Sequence, residues 1–178
     1  AGCEVVIKDR TIELAQKGKT RLDGVLEKQI QKGKFPPDQK AAALSRITPT
    51  DSYKLFENVD VVVEAVFEDK EIKKTALKEV DQVCKPDCMI ATNTSSIPIT
   101  LLATALKPER RVLFAGAHFF SPASVMKLVE VIPGLETKEE TVSFIMEGCR
   151  QIGKTPIRVK DVAGFVVNRI LHAMWIEA

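Results

Sequence analysis

Two residues, His118 and Glu130, carry the clearest chemical signal in the sequence. His118 sits in Gly116-Ala117-His118-Phe119-Phe120-Ser121-Pro122, directly after an apolar run that begins at Val112. Taken alone it is either a packed core histidine or a base. Downstream, Glu130 interrupts the apolar stretch Leu128-Val129-Glu130-Val131-Ile132. A carboxylate buried without a partner is costly, so a partner is expected, and a histidine on a neighbouring strand would serve. Such a pair is a general base with an orienting acid. The carboxylate fixes the tautomer and stabilises the imidazolium once a proton is taken.

Other polar groups gather where apolar runs end. Asn93-Thr94-Ser95-Ser96 leads into Ile97-Pro98, and its hydroxyls either cap a helix or face a ligand. Asp9 ends the run Glu4-Val5-Val6-Ile7-Lys8. It either caps the helix that begins near Thr11, or accepts hydrogen bonds from the two ribose hydroxyls of a dinucleotide and repels a 2′-phosphate. Glu68 ends the run Asp60–Phe67. Lys73, on the helix that follows, either meets a nucleotide on its ribose or pyrophosphate side or is a solvated helix lysine. Cys84 and Cys88 are the only close cysteine pair among Cys3, Cys84, Cys88 and Cys149. His118 and His172 are not spaced to complete a zinc site with them, so no metal is expected. His172 reads as structural, and Met126, Met146 and Met174 read as core.

The elements that must position these groups alternate. Residues 11–45 read as a helical hairpin rich in lysine, broken at Pro36-Pro37-Asp38. Apolar runs at 46–48, 60–67, 89–92 and 112–117 read as strands, the last three buried on both faces. Helices separate them, with Ile72, Ala76, Leu77, Val80 and Val83 on one face and Ile97, Leu101, Leu102 and Ala105 on another. A run from Val125 to Ile132 precedes a helix with Val142, Ile145, Met146, Cys149 and Ile152 on one face. Pro156–Lys160 is a further strand, and a helix starts after Gly164. This alternation predicts a parallel α/β sheet with crossover helices, in which ligands bind at the C-terminal strand ends.

Composition narrows the class. The chain has 178 residues, 45% hydrophobic and 28% charged, with 26 basic against 24 acidic side chains and 6% aromatics. It can bury a core, and neither nucleic-acid binding nor base stacking is expected. No apolar run is long enough to span a membrane, and no signal peptide is read at the first residues. The cysteine usage suits a reducing compartment. Bacterial cytoplasm, mitochondrial matrix and peroxisome all agree with it.

Together, Val63-Glu64-Ala65-Val66-Phe67-Glu68, Asn93-Thr94-Ser95-Ser96, the His118 segment, Met126-Lys127-Leu128-Val129-Glu130 and Asp161-Val162-Ala163-Gly164-Phe165-Val166-Val167-Asn168-Arg169 closely resemble the L-3-hydroxyacyl-CoA dehydrogenases, over essentially all of residues 2–177. The resemblance implies a Rossmann-type, doubly wound, mostly parallel sheet with NAD as cofactor and an acyl-CoA as substrate. It implies His118 as the base, Glu130 as its partner, Ser95 on the substrate oxygen and the nicotinamide side, and Asn168 as a substrate-positioning amide. Asp9, Glu68, Lys73 and Asn93 would line the NAD site, and Lys32 and Lys34 would lie on the arm over the CoA moiety. The domain reading is 1–161 for the nucleotide-binding domain, with a helical arm at about 11–45, and 162–178 for the start of a helical domain.

The family's first strand with its glycine-rich turn, and most of its helical domain, are not among these 178 residues, so the resemblance implies that the chain is a fragment. A sheet without that strand is expected to fold poorly by itself and to be inactive alone. A homodimer through the helical domain, or membership of a larger multifunctional chain, is the expected assembly. Two other readings stay open: a non-catalytic acyl-CoA-binding or structural protein on the same scaffold, and a related dehydrogenase acting on a sugar acid.

Overall fold

The computed structural model describes residues 2–177, and it divides into two compact units, Ala1–Glu57 and Asn58–Ala178. The division falls between Glu57 and Asn58, earlier in the chain than the 161/162 boundary read from the sequence.

The first unit opens with strand β1 (Val5–Lys8) and helix α1 (Ile12–Gln31). Thr11 caps α1, its Oγ1 accepting the Leu14 N–H at 3.4 Å. The helix ends where Gly33 takes φ +65°, and the N–H groups of Gly33 and Lys34 return to the carbonyls of Ile30 and Gln29. That closing pattern needs a left-handed residue after the cap, which glycine adopts without strain. A 3-10 turn at Pro37–Gln39 leads into helix α2 (Lys40–Ser45), and Lys40 Nζ ties the hairpin through Asp23 (2.7 Å) and Glu27 (2.8 Å). Strand β2 (Ile47–Thr50) then pairs in parallel with β1, from Val5 opposite Ile47 to Lys8 opposite Thr50.

The second unit is built on five strands: β3 (Val61–Glu64), β4 (Met89–Thr92), β5 (Phe114–Phe119), β6 (Leu128–Pro133) and β7 (Thr155–Arg158), in that spatial order. β3, β4 and β5 run parallel, β6 runs antiparallel to β5, and β7 is parallel to β6. The sheet is thus mixed, and the one antiparallel pairing decides the geometry of the site. β4 and β5 are enclosed on both faces, with Ile90, Ala91, Thr92, Phe114, Ala115 and Ala117 all buried. At Gly116 on β5 the neighbours leave no room for a side chain: a Cβ there would lie 2.8 Å from Ile99 and 2.9 Å from Ile132.

Three sequence expectations shift here. β3 is shorter than 60–67 and buried on one face only, since Val62 and Glu64 are enclosed while Val61 and Val63 face outward. On helix α3 (Lys70–Val83) the buried stripe is Lys73, Ala76, Leu77, Val80 and Asp81, and Ile72 is exposed. The apolar pattern misplaces this stripe because two of its members are charged groups satisfied inside the protein. On helix α4 (Ile99–Ala103) the buried residues are Ile99, Leu102 and Ala103 rather than Ile97, Leu101 and Ala105.

Arg110, on the one-turn helix α5 (Pro108–Arg111), is the largest buried polar anchor of this unit. Its Nε meets Asp81 at 3.0 Å, and its guanidinium donates to the carbonyls of Cys84, Lys85, Pro86 and Cys88, which shapes the turn into β4. Both cysteines of the close pair are buried in this turn. Helix α6 (Glu139–Gln151) packs Val142, Ile145 and Cys149 on the β4–β5–β6 core, while Ile152 lies past its end and is exposed. Helix α7 (Val167–Glu177) leaves Ile170, Met174, Trp175 and Ile176 exposed, and Met126 before β6 is exposed too, so neither of these methionines is the core residue expected from the sequence. No helix among the described residues is long and apolar enough to cross a membrane.

Candidate active site

The antiparallel register of β5 and β6 sets His118 directly opposite Glu130. His118 Nδ1 lies 2.8 Å from Glu130 Oε2, and both side chains are buried, Glu130 completely. The other carboxylate oxygen, Oε1, accepts the backbone N–H groups of Val166 and Val167, each at 3.0 Å. One carboxylate therefore holds the imidazole and the start of α7 together. Phe120 and Phe165 pack beside the imidazole at centroid distances of 4.5 and 5.8 Å. Phe165 reaches this place through a left-handed backbone, φ +49°. Because the carboxylate accepts at Nδ1, the neutral ring keeps its proton there and presents its lone pair at Nε2. Nε2 has no hydrogen-bond partner among the described residues and is not sealed from the surface.

A second cluster forms where β3 and β4 end. The strand stops at Glu64, so Glu68 sits in the turn before α3, not at a strand terminus. Its Oε1 accepts from Thr94 Oγ1 (2.6 Å), Ser95 N (2.8 Å), Ser95 Oγ (3.1 Å), Ser96 N (3.2 Å) and Ser96 Oγ (3.3 Å). One oxygen cannot hold five strong bonds. The Thr94 hydroxyl and the Ser95 amide are the short ones, and the two serine hydroxyls are the exchangeable ones. Burial alone would raise the Glu68 pKa; the bonds from Thr94 and Ser95, with the charge of Lys73, outweigh it and hold the carboxyl below the ordinary range.

The two clusters join through Asn93 and Asn168. Asn93 Oδ1 accepts the Phe119 N–H at 2.8 Å, tying the end of β4 to the residue after His118. Asn168, on the first turn of α7, donates from Nδ2 to the Ser95 carbonyl at 3.3 Å. Neither Ser95 nor Ser96 caps α4. That role falls to Asp161, which accepts the N–H groups of Ile99 and Thr100, both at 2.8 Å. Ser95, His118, Glu130, Asn93, Asn168 and Glu68 thus share one connected region at the C-terminal ends of β4 and β5.

Lys73 is not the solvated helix lysine that one reading of the sequence allowed: its side chain is 1% exposed. Its Nζ meets Glu64 Oε1 at 2.9 Å, the Val66 carbonyl at 3.2 Å and Glu68 Oε2 at 3.5 Å. Glu64 was missed by sequence reasoning, although an acid closing Val61-Val62-Val63 is the same signal that singles out Glu130. Ser96 and Asp161 were missed as well, because hydroxyl and carboxylate contacts across loops leave no periodic trace.

In the first unit, Asp9 follows β1 with its N–H on the Thr50 carbonyl, and its carboxylate is exposed, one oxygen accepting the Arg10 N–H at 2.7 Å. Thr11, not Asp9, caps α1. Lys32 and Lys34 are exposed just past the end of α1.

Comparison with known proteins places this geometry. Residues 1–162 match the family described as 3-hydroxyacyl-CoA dehydrogenase, NAD binding domain. The chain is 45% identical over 171 residues to the fatty acid oxidation complex subunit alpha of Pseudomonas aeruginosa, covering 96% of this chain and 24% of that protein. It superposes on the (S)-3-hydroxybutyryl-CoA dehydrogenase of Ralstonia eutropha with TM-score 0.93 and 41% identity, over 98% of this chain and 61% of the other. It also superposes on 3-hydroxybutyryl-CoA dehydrogenase of Escherichia coli with TM-score 0.92 and 34% identity, over 98% and 36%. The chain therefore spans about a quarter of the length of the curated relatives it matches. With a Rossmann-type sheet, a histidine–carboxylate pair at its strand ends and a family match over nearly its whole length, this chain belongs to the 3-hydroxyacyl-CoA dehydrogenase family, in its NAD-binding domain.

Proposed function

We propose that the chain is the nucleotide-binding part of an NAD-dependent enzyme that oxidises L-3-hydroxyacyl-CoA to 3-ketoacyl-CoA. The observation that carries this reading is the His118–Glu130 pair, with Nδ1 engaged and Nε2 open, joined by hydrogen bonds to the Ser95 loop. A dinucleotide fits the residues present. The region lies at the C-terminal ends of parallel strands, where such sheets bind nucleotides, and it offers serine hydroxyls held only by long bonds. Glu68, Asn93 and Ser95 would hold it in the second unit. In the first unit the exposed Asp9 carboxylate suits ribose hydroxyls and disfavours a 2′-phosphate. When bound, NAD supplies the hydride acceptor.

The chain's own residues do the rest. His118 Nε2 takes the proton of the substrate hydroxyl, and Glu130 stabilises the resulting imidazolium through Nδ1. Ser95 turns its weakly held hydroxyl to the substrate oxygen, and Asn168, already anchored on the Ser95 carbonyl, fixes the substrate beside the base. Lys32 and Lys34, exposed beyond α1, suit the phosphates of CoA. The helical domain begins at about 162. The longer protein forms a homodimer through it or belongs to a multifunctional chain.

The test is NADH oxidation with acetoacetyl-CoA by the full-length protein, with a His118→Gln variant beside it. Turnover by the first, and a loss of about 10²–10⁴-fold in the second, is expected from removal of a general base. Binding of acetoacetyl-CoA with no NADH consumption would move the protein to a non-catalytic acyl-CoA-binding role.

A further inference from the structure

The chain contains a buried ion pair that the reaction itself does not use. Glu64 closes β3 and Lys73 lies on α3, with side chains 2% and 1% exposed. Burying two charges is expensive, and an apolar pair of the same volume often serves stability as well or better. The pair therefore calls for a reason beyond stability, and its contacts supply one. Lys73 Nζ reaches Glu64, the Val66 carbonyl and Glu68, so it grips the β3–α3 turn at its start, middle and end. Glu64 uses its other oxygen on Thr92 Oγ1 at 2.6 Å, and Oε1 also accepts the Val66 N–H at 2.7 Å. β3, α3 and the end of β4 are thus fastened at one point, and Glu68 carries that fastening to Ser95.

We infer that Glu64 and Lys73 are positioning residues, which fix Glu68 and through it set Ser95 for cofactor and substrate. The inference rests on the function proposed above and assigns Lys73 a role that acts through Glu68. It predicts that the two residues act as a unit. Losing either frees the turn, so the effects of the single variants should not add.

The experiment compares Lys73→Met, Glu64→Gln and the double variant in the full-length protein, by NADH titration followed through its fluorescence, by steady-state kinetics and by thermal melting. The double variant leaves no unpaired buried charge. It should melt cooperatively near the wild-type temperature yet bind NADH about tenfold more weakly and turn over about tenfold more slowly, a loss below the roughly 10²-fold that a misplacement of about 1 Å can cost. Both single variants should show losses of similar size, and the double variant no more than either. Wild-type affinity and turnover in the double variant would overturn the inference, as would loss of its cooperative melt, which would mark the pair as purely structural. Weak binding in Lys73→Met with wild-type binding in Glu64→Gln would also overturn it, in favour of direct contact by Lys73. A wild-type protein that binds no NADH would instead refute the function on which the inference rests.

Discussion

Glu130 holds His118 Nδ1 with one carboxylate oxygen and the first two backbone amides of the α7 turn with the other. The base and the helix that opens the C-terminal part of the chain are therefore oriented by one side chain. The antiparallel β5–β6 register brings the two residues together, and the fully enclosed position of Glu130 keeps water from competing for it.

Glu130→Gln should expose this double duty. An amide whose oxygen keeps the α7 amides turns its NH2 to Nδ1, which moves the ring proton to Nε2 and removes the lone pair that would act as base. It also carries no charge to stabilise an imidazolium. We expect kcat to fall by about 10²-fold or more with a smaller change in KM. Steady-state kinetics checks this, and a kcat within threefold of wild type would contradict an orienting role.

Glu68 makes the stability of the Ser95 loop depend on acid. Its pKa is depressed in the folded protein, so its stabilising contribution is present above the ordinary glutamate value of about 4.3 and is lost as pH falls through the lower folded value. The side chain is 38% exposed, so solvent screens the effect and it will be modest. Melting temperatures of wild type and Glu68→Gln from pH 7 to pH 3 should converge at the acid end. A gap that stays constant across the range would show that the carboxylate charge does not matter there.

Arg110→Met should be among the more destabilising single changes in the second unit. It strands Asp81 as a buried charge and leaves the carbonyls of the Cys84–Cys88 turn without their donor. Breaking a buried pair from one side costs about 3–5 kcal/mol. Chemical denaturation measures the loss, and adding Asp81→Asn should recover part of it. A change below about 1 kcal/mol would mean that water replaces the guanidinium.

Much of this protein is legible in residue order because local physics acts at short range. The apolar runs located β4 and β5, the paired prolines broke the helical hairpin, and an acid inside Leu128–Ile132 demanded a partner that His118 supplies. The family motifs named the region of the site. Other features depended on contacts between residues far apart in the chain. Lys73 reads as either a nucleotide contact or a solvated lysine, and only the fold shows Glu64 and Glu68 around it. Ile72 reads as core until the ion pairs of Lys73 and Asp81 claim the buried face of α3. The hydroxyls after β4 read as either caps or ligand groups, and only the fold shows Asp161, from beyond β7, taking the helix terminus. Periodicity records where apolar surface goes, because burying it is favourable wherever it lands. A buried charge or a shared carboxylate oxygen is tolerated only when a particular partner stands within about 3 Å, and only the tertiary fold decides which partner that is.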